Sequence, residues 1–122
     1  MWSVQQAGEV PGVRRRAVRR AEALGGGLWG EAVALVVAEL AANALEHGRP
    51  PATVALRRRS GRLWVGVFDF SAARPVEAAS GVEAESGRGL SLCAAVASGW
   101  QVEGAPAGKW VWAWFTVDAA GR

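Results

Sequence analysis

The chain has 122 residues, of which 51% are hydrophobic and 20% are charged. This length suits one domain with a hydrophobic core and is too short for two such domains. The half-apolar composition excludes a chain that is disordered over most of its length. We therefore expect a single domain over residues 1–122.

The features that report on the cellular compartment predict a cytoplasmic protein. A single cysteine, Cys93, excludes an internal disulfide and is typical of a reducing compartment. The first ten residues lack the basic start and apolar centre of a signal peptide. The longest apolar run, residues 32–45, is interrupted by Glu39 and Asn43 and is shorter than the roughly 20 apolar residues of a membrane span. We expect no association with a membrane.

The chain is basic, with a net charge of +3 and a pI of about 10.4. Thirteen of the fourteen basic residues are arginines, and most of them lie in two clusters, at residues 14–20 and 57–62. No zinc-ligand spacing, aromatic RNA-binding signature or helix-turn-helix pattern accompanies them, so we expect no direct binding of nucleic acid. The first cluster is either a solvated surface or a docking surface for an acidic partner.

The N-terminal half is predicted to contain a short strand and two helices. A strand-like stretch at residues 2–4 precedes a helix over residues 13–24, which Pro11 begins and the glycines at 25–27 end. The second helix, over residues 32–47, is apolar almost all round and is predicted to lie in the core. Gly48 follows it, and we expect this glycine to adopt the left-handed conformation that is common after helices.

The C-terminal half is predicted to contain four strands, one helix and one long loop. Strands over residues 53–58 and 62–70 are joined by a hairpin turn at Ser60-Gly61. Residues 71–86 lack periodicity and predict a loop of the kind that often binds or covers a ligand. A helix over residues 86–98 and strands at 100–103 and 109–117 follow. This order predicts an α+β fold, a two-layer sandwich with a mostly antiparallel sheet and helices on one face.

Alternation along the strands assigns side chains to the two faces of the sheet. In the strand over residues 62–70, one face is expected to pack on the helices, and it carries Leu63, Val65, Val67 and Asp69. The last strand carries a stripe of three tryptophans, Trp110, Trp112 and Trp114. This stripe is either a thickly packed, partly exposed sheet surface or is buried in a homodimer or partner interface.

The core helix carries one polar stripe. Glu39, Asn43 and His47 are spaced four residues apart and therefore stack on one face of the helix. Carboxylates are seldom buried without a partner, so Glu39 and Asn43 together predict a ligand pocket that holds a cation. Asp69, at the end of its strand, is expected beside this pocket.

A second feature is the sequence Gly87-Arg88-Gly89, which opens the helix predicted over residues 86–98. Glycines at a helix N-terminus expose backbone N–H groups at the positive end of the helix dipole, an arrangement that suits phosphate oxygens. Such a glycine pair alone is a weak signal, because it also serves simple turns. Its position after a long loop makes it more informative here.

In this order, these segments resemble the ATP-binding domain of the Bergerat (GHKL) superfamily, and more narrowly the small anti-sigma-factor serine kinases and their actinobacterial relatives. The matching segments are VALVVAELAANALEHG (the N box), VGVFDFSAARP (a reduced first glycine box), ESGRGLSLCAAVASGW (the second glycine box) and GKWVW (the closing strand). The segment PGVRRRAVRRAEAL is similar to the opening helix of these proteins, so the resemblance covers nearly the whole chain.

The resemblance implies a role for each matched residue. Asn43 would hold the Mg²⁺ that bridges the ATP phosphates, and Glu39 would be the catalytic general base. Asp69 would accept a hydrogen bond from the adenine amino group. His47 would either contact the ligand or interact with the C-terminal end of the helix dipole. The other nucleotide-binding residues would be Ser71, Gly87, Arg88, Gly89 and Leu90.

One position departs from the pattern of the superfamily. Many members have Asp-x-Gly in the first glycine box, whereas this chain has Asp69-Phe70-Ser71. The bulky Phe70 and the missing glycine are expected to weaken adenine binding.

The implied function is that of an anti-sigma regulator with serine/threonine kinase activity. It would transfer the ATP γ-phosphate to a serine of an anti-anti-sigma (STAS-type) partner and would also sequester a sigma factor. The alternative is a non-catalytic protein-binding module of the same fold with weak or no ATP turnover. Glu39 and Asn43 favour catalysis, and the altered glycine box favours the binding module. A sensor histidine kinase is disfavoured, because the chain lacks a dimerisation helix pair with a phosphoacceptor histidine.

Overall fold

A computed structural model of the protein describes residues 1–71, 93 and 95–117. The strands in this part of the chain are β1 (Trp2–Val4), β2 (Ala52–Arg59), β3 (Arg62–Asp69), β4 (Gly99–Ala105) and β5 (Gly108–Thr116). The helices are α1 (Val10–Ala23) and α2 (Gly30–His47). A 3₁₀ turn precedes each helix, at Ala7–Glu9 and Gly27–Trp29.

The five strands form one antiparallel sheet in the order β1-β2-β3-β5-β4. The hairpin between β2 and β3 turns at Ser60 and Gly61, which have φ angles of 51° and 75°. Positive φ at both central residues is what the predicted two-residue turn requires. The pairing of β3 with β5 places Asp69 opposite Lys109.

The core lies between one face of the sheet and the two helices. On β3 the buried inner-face residues are Leu63, Val65, Val67 and Asp69. Helix α1 contributes Val13, Ala17 and Ala21, and α2 contributes Val33, Val36, Val37, Leu40, Ala41 and Ala44. The predicted α+β class, with helices packed on one face of an antiparallel sheet, is confirmed.

Helix α2 is longer than the sequence pattern indicated. It begins at Gly30, and the segment Gly27–His47 is long and apolar enough, by length and composition, to cross a membrane. The buried side chains of α2 pack against α1 and the sheet, and the core helix of a folded domain passes the same test.

The predicted loop at residues 71–86 and most of the helix predicted over residues 86–98 lie outside the described residues. Within that helix, Cys93, Ala95 and Val96 are helical. Cys93 is buried in the core, as its place on the predicted apolar face requires.

The outer face of the sheet is covered by its own tryptophans. Trp110 and Trp112 stack with 4.7 Å between ring centroids, and Trp64 packs against both Trp112 and Trp114. Trp112 is only 6% exposed, because its indole lies over Gly66 on the neighbouring strand. The described residues therefore form the thickly packed, partly exposed surface, and the homodimer stays a prediction.

We predict that Gly66→Ala destabilises the fold by about 1–3 kcal/mol, because the added Cβ overlaps the buried Trp112 indole. Urea unfolding followed by circular dichroism measures the change. Gly104→Ala on β4 is the matched control, since no atom lies within 4 Å of its added Cβ. An equal loss of stability in the two variants would show that the packing of the Trp112 indole does not require a glycine at position 66.

Candidate functional site

A buried ion pair joins the end of β3 to the start of β5. The Lys109 ammonium donates to both carboxylate oxygens of Asp69, at 3.1 Å from Oδ1 and 2.9 Å from Oδ2. Asp69 is 3% exposed and Lys109 is 7% exposed. A bridged carboxylate of this kind is a fixed hydrogen-bond acceptor in a site with little access to water.

The C-terminal end of α2 lies against this ion pair. A Cβ at Gly48 would lie 2.6 Å from the Asp69 carboxylate and 2.8 Å from the Ala44 carbonyl oxygen. The Phe70 backbone N–H donates to the Arg49 carbonyl at 3.1 Å, which ties the chain after β3 to the chain after α2. The structure thus places the end of α2 beside Asp69.

The conformation predicted for Gly48 is wrong. Its φ of −101° and ψ of −154° are extended rather than left-handed, a conformation that any residue can adopt. Glycine is required at this position because the Asp69 carboxylate occupies the space of a side chain. The local sequence predicted where the helix ends. The need for glycine at position 48 comes from Asp69, which is 21 positions away in the chain.

Helix α2 presents its polar stripe next to this end. Glu39 and Asn43 are half-buried, and among the described residues neither side chain has a hydrogen-bonding or ion-pair partner. His47, in the last turn, is exposed, and its Nε2 lies 3.1 Å from the Glu46 carboxylate. Half-buried oxygen atoms that the described residues do not satisfy are available to a ligand.

The segment after Asp69 supports the carboxylate through its backbone. The Ser71 backbone N–H donates to Asp69 Oδ1 at 2.7 Å. Phe70 is 45% exposed and packs edge-on against Phe68. Its ring therefore points away from the inner face that carries Asp69.

Cys93, in the helix predicted over residues 86–98, interacts electrostatically with Glu39. Burial, together with the nearby Glu39 carboxylate, raises the pKa of the Cys93 thiol to about 12. The thiol is therefore protonated at neutral pH and is not a nucleophile. Glu39 therefore lies near enough to Cys93 for its charge to act on the thiol.

Four predicted nucleotide-binding residues, Gly87, Arg88, Gly89 and Leu90, lie outside the described residues. The other predicted residues lie on two elements, Glu39, Asn43 and His47 on α2 and Asp69 with Ser71 at the end of β3, and the contact shown between these elements is that of Gly48 with Asp69.

Sequence reasoning missed Lys109. It is the single lysine in a chain whose other basic side chains are all arginine. It also alternates in step with Val111, Ala113 and Phe115, whose side chains face the core. These two signals together place a buried cation on the inner face, where a carboxylate partner is required.

Comparison with known families identifies the fold. A sequence model of the histidine kinase-like ATPase domain matches residues 4–115. The chain belongs to this family. Comparison with curated proteins gives no match. As a histidine kinase-like ATPase domain of the GHKL type, the chain has a fold that binds ATP and supports ATPase or kinase chemistry.

The described residues of this ATPase domain fit ATP with Mg²⁺. Asn43 offers a free amide oxygen, and Mg²⁺ takes oxygen ligands, most of which the phosphates and water supply. Oδ2 of Asp69 accepts only the Lys109 bond within the described part of the chain, so a second lone pair remains for an amino group. Glu39 lies one helical turn from Asn43 on the same face.

We predict that the Asp69–Lys109 pair is strongly coupled. Lys109→Met leaves an uncompensated buried carboxylate and lowers the free energy of unfolding by about 3–5 kcal/mol. The double variant Asp69→Asn/Lys109→Met loses less than the sum of its two single variants, as urea unfolding will show. The exposed Glu46–His47 pair is the control, with a coupling below about 1 kcal/mol. Additive losses at Asp69 and Lys109 would contradict the buried pair.

We also predict that Cys93 is unreactive in the folded protein. At pH 8 the raised pKa lowers the thiolate fraction, and Ellman's reagent reacts about a thousandfold more slowly than with the urea-unfolded chain. Glu39→Gln removes the neighbouring negative charge and speeds the reaction, whereas Glu31→Gln, at the far end of α2, does not. Equal rates in all three proteins would place Glu39 away from Cys93.

Proposed function

We propose that this chain is an ATP-dependent protein serine/threonine kinase that acts as an anti-sigma regulator. The observation that carries the proposal is the pair of half-buried side chains Glu39 and Asn43, whose oxygen atoms have no partner among the described residues, on the helix that ends against Asp69. A carboxylate and an amide so placed suit phosphoryl transfer, in which positioning and charge neutralisation supply most of the rate.

The residues of the site divide this chemistry between them. Asp69, held by Lys109 and the Ser71 backbone, orients the adenine through its amino group. Asn43 holds the Mg²⁺, which neutralises charge on the phosphates. Glu39 takes the proton of the acceptor hydroxyl. The oxygen of that hydroxyl bonds to the γ-phosphorus as the bond between the γ-phosphorus and the departing ADP oxygen breaks. His47, at the exposed end of the stripe, lies where it can contact the ligand.

The proposed partners come from the resemblance of the sequence to the anti-sigma kinases. They are an anti-anti-sigma (STAS-type) protein, whose serine accepts the phosphoryl group, and a sigma factor that the kinase sequesters. Both belong to a cytoplasmic regulatory system. The proposal needs no membrane and no direct contact with nucleic acid.

One observation favours a second candidate, a non-catalytic module that binds a partner through the same fold. The Lys109 ammonium already bridges both oxygens of Asp69, so the base-binding carboxylate is neutralised before any nucleotide arrives. In addition, where many relatives have Asp-x-Gly, this chain has Asp69-Phe70-Ser71, so that Ser71 replaces the glycine. The two candidates differ in whether ATP binds with measurable strength.

We predict that ATP with Mg²⁺ binds the wild-type protein in a calorimetric titration and that Asn43→Ala weakens binding at least tenfold, or about 1.4 kcal/mol. The weakening disappears when Mg²⁺ is chelated, because Asn43 acts through the cation. Glu39→Gln retains ATP binding but lowers turnover of labelled ATP about 10²–10⁴-fold.

Glu31→Gln, an exposed change on the same helix, is the control and leaves both quantities unchanged. If the wild-type protein shows no heat of binding at millimolar ATP, the kinase proposal fails and the non-catalytic module stands. If Asn43→Ala binds as tightly as wild type, the magnesium role of Asn43 is wrong.

A further inference from the structure

A groove on the outer face of the sheet is separate from the nucleotide site. Strand alternation puts this groove on the side of the sheet opposite Asp69 and the helices. Its volume is about 760 Å³. Tryptophans form its floor, arginines of the β2–β3 hairpin form one wall, and the β4–β5 hairpin forms the other. The residues used below are Arg57, Arg59, Arg62, Trp64, Trp110 and Trp112.

The basic wall of the groove has more positive charge than the described residues neutralise. Arg57, Arg59 and Arg62 are exposed, and in the described part of the chain none of them forms an ion pair. The nearest acidic side chain in the groove, Glu103, accepts a hydrogen bond from the Trp112 indole at 2.9 Å. Arg59 also lies directly opposite Arg62 in the β2–β3 register. Like charges opposite each other are unfavourable, and a bound anion would relieve this.

The aromatic floor does not suit stacked nucleic-acid bases. Trp110 and Trp112 already stack on each other with an interplanar angle of 15°. The Arg57 guanidinium lies 5.3 Å from the centre of the Trp112 ring, and Arg62 lies 4.8 Å from the ring of Trp114. These contacts occupy ring faces of Trp112 and Trp114 that a base would use. A guanidinium group carries several N–H donors in a planar fork that matches the geometry of carboxylates.

A second copy of the chain fits the groove poorly. Two such faces brought together by a twofold axis would oppose two sets of three arginines. The described residues of each groove offer only Glu103 against them, and its carboxylate is engaged by Trp112. An acidic partner removes this repulsion.

The spacing of the arginines matches an extended peptide. Arg57 and Arg59 are two residues apart on β2, so their side chains leave the same face about 6.6–7 Å apart. Alternate side chains of an extended partner segment have the same repeat. We propose that the groove binds an extended acidic segment of a partner protein, with carboxylates facing Arg57 and Arg59 and an apolar side chain against Trp64 and Trp110.

The test uses a fluorescein-labelled peptide of alternating aspartate and leucine, titrated by anisotropy at 150 mM salt. We expect saturable binding that Arg57→Gln/Arg59→Gln weakens about tenfold, since two charge-assisted contacts are lost. Arg15→Gln/Arg19→Gln on exposed positions of α1 is the control with the same change in net charge, and its affinity stays within about twofold of wild type. A peptide of alternating lysine and leucine does not bind the wild-type protein and binds Arg57→Glu/Arg59→Glu.

Several results would overturn the proposal. Equal weakening in the two arginine pairs would show attraction to net charge alone, and no saturation at millimolar peptide would show that the groove does not bind acidic segments. Tighter binding of oligothymidylate than of the acidic peptide would make the groove a nucleic-acid site. A dimer in sedimentation that Arg57→Gln/Arg59→Gln strengthens would make it a self-association surface. Because ATP is absent throughout, failure here leaves the kinase proposal untouched.

Discussion

The ion pair between Asp69 and Lys109 joins three separate parts of the chain. It closes the pairing of β3 with β5, and its carboxylate fills the space beside Gly48 at the end of α2. Two buried charges are stable together only when each satisfies the other and the remaining lone pairs have donors. The Ser71 backbone supplies one such donor, and the described residues leave one acceptor position on the carboxylate for a ligand. The Asp69–Lys109 ion pair therefore fixes the position of the carboxylate and also limits its ligand to a hydrogen-bond donor.

The two faces of the sheet are covered in different ways. The inner face packs aliphatic side chains against α1 and α2, and the described residues place no second layer on the outer face. Tryptophans at three alternate positions of β5 cover that face with their own ring area, and Gly66 makes room for the Trp112 indole. Arg57 and Arg62 lie over the rings and give this surface a positive charge. An aromatic layer with a cationic cover is also a surface that an acidic segment can occupy without any change in the core.

Much of this could be predicted from the sequence, because local patterns determine it. Alternation in β3 assigned Leu63 and Asp69 to the inner face, and the four-residue spacing on α2 grouped Glu39 with Asn43. The pairing of Lys109 with Asp69 and the extended conformation of Gly48 depend on contacts between residues far apart in the chain, so no local pattern contains them. The start of α2 was placed two residues late, because Gly30 is a poor helix former whose helical state depends on tertiary packing. The roles of Gly87, Arg88, Gly89 and Leu90 rest on the sequence alone.

The most direct test of the site is a crystal structure of the protein with a non-hydrolysable ATP analogue and Mg²⁺. The proposed function predicts that the adenine amino group lies within hydrogen-bond distance of Asp69 Oδ2 while Lys109 stays on the carboxylate. It also predicts the magnesium ion on the Asn43 amide oxygen, with Glu39 facing the γ-phosphate. An analogue bound elsewhere on the chain, or an Asp69–Lys109 pair that excludes the base, would contradict the assignment of this site to ATP.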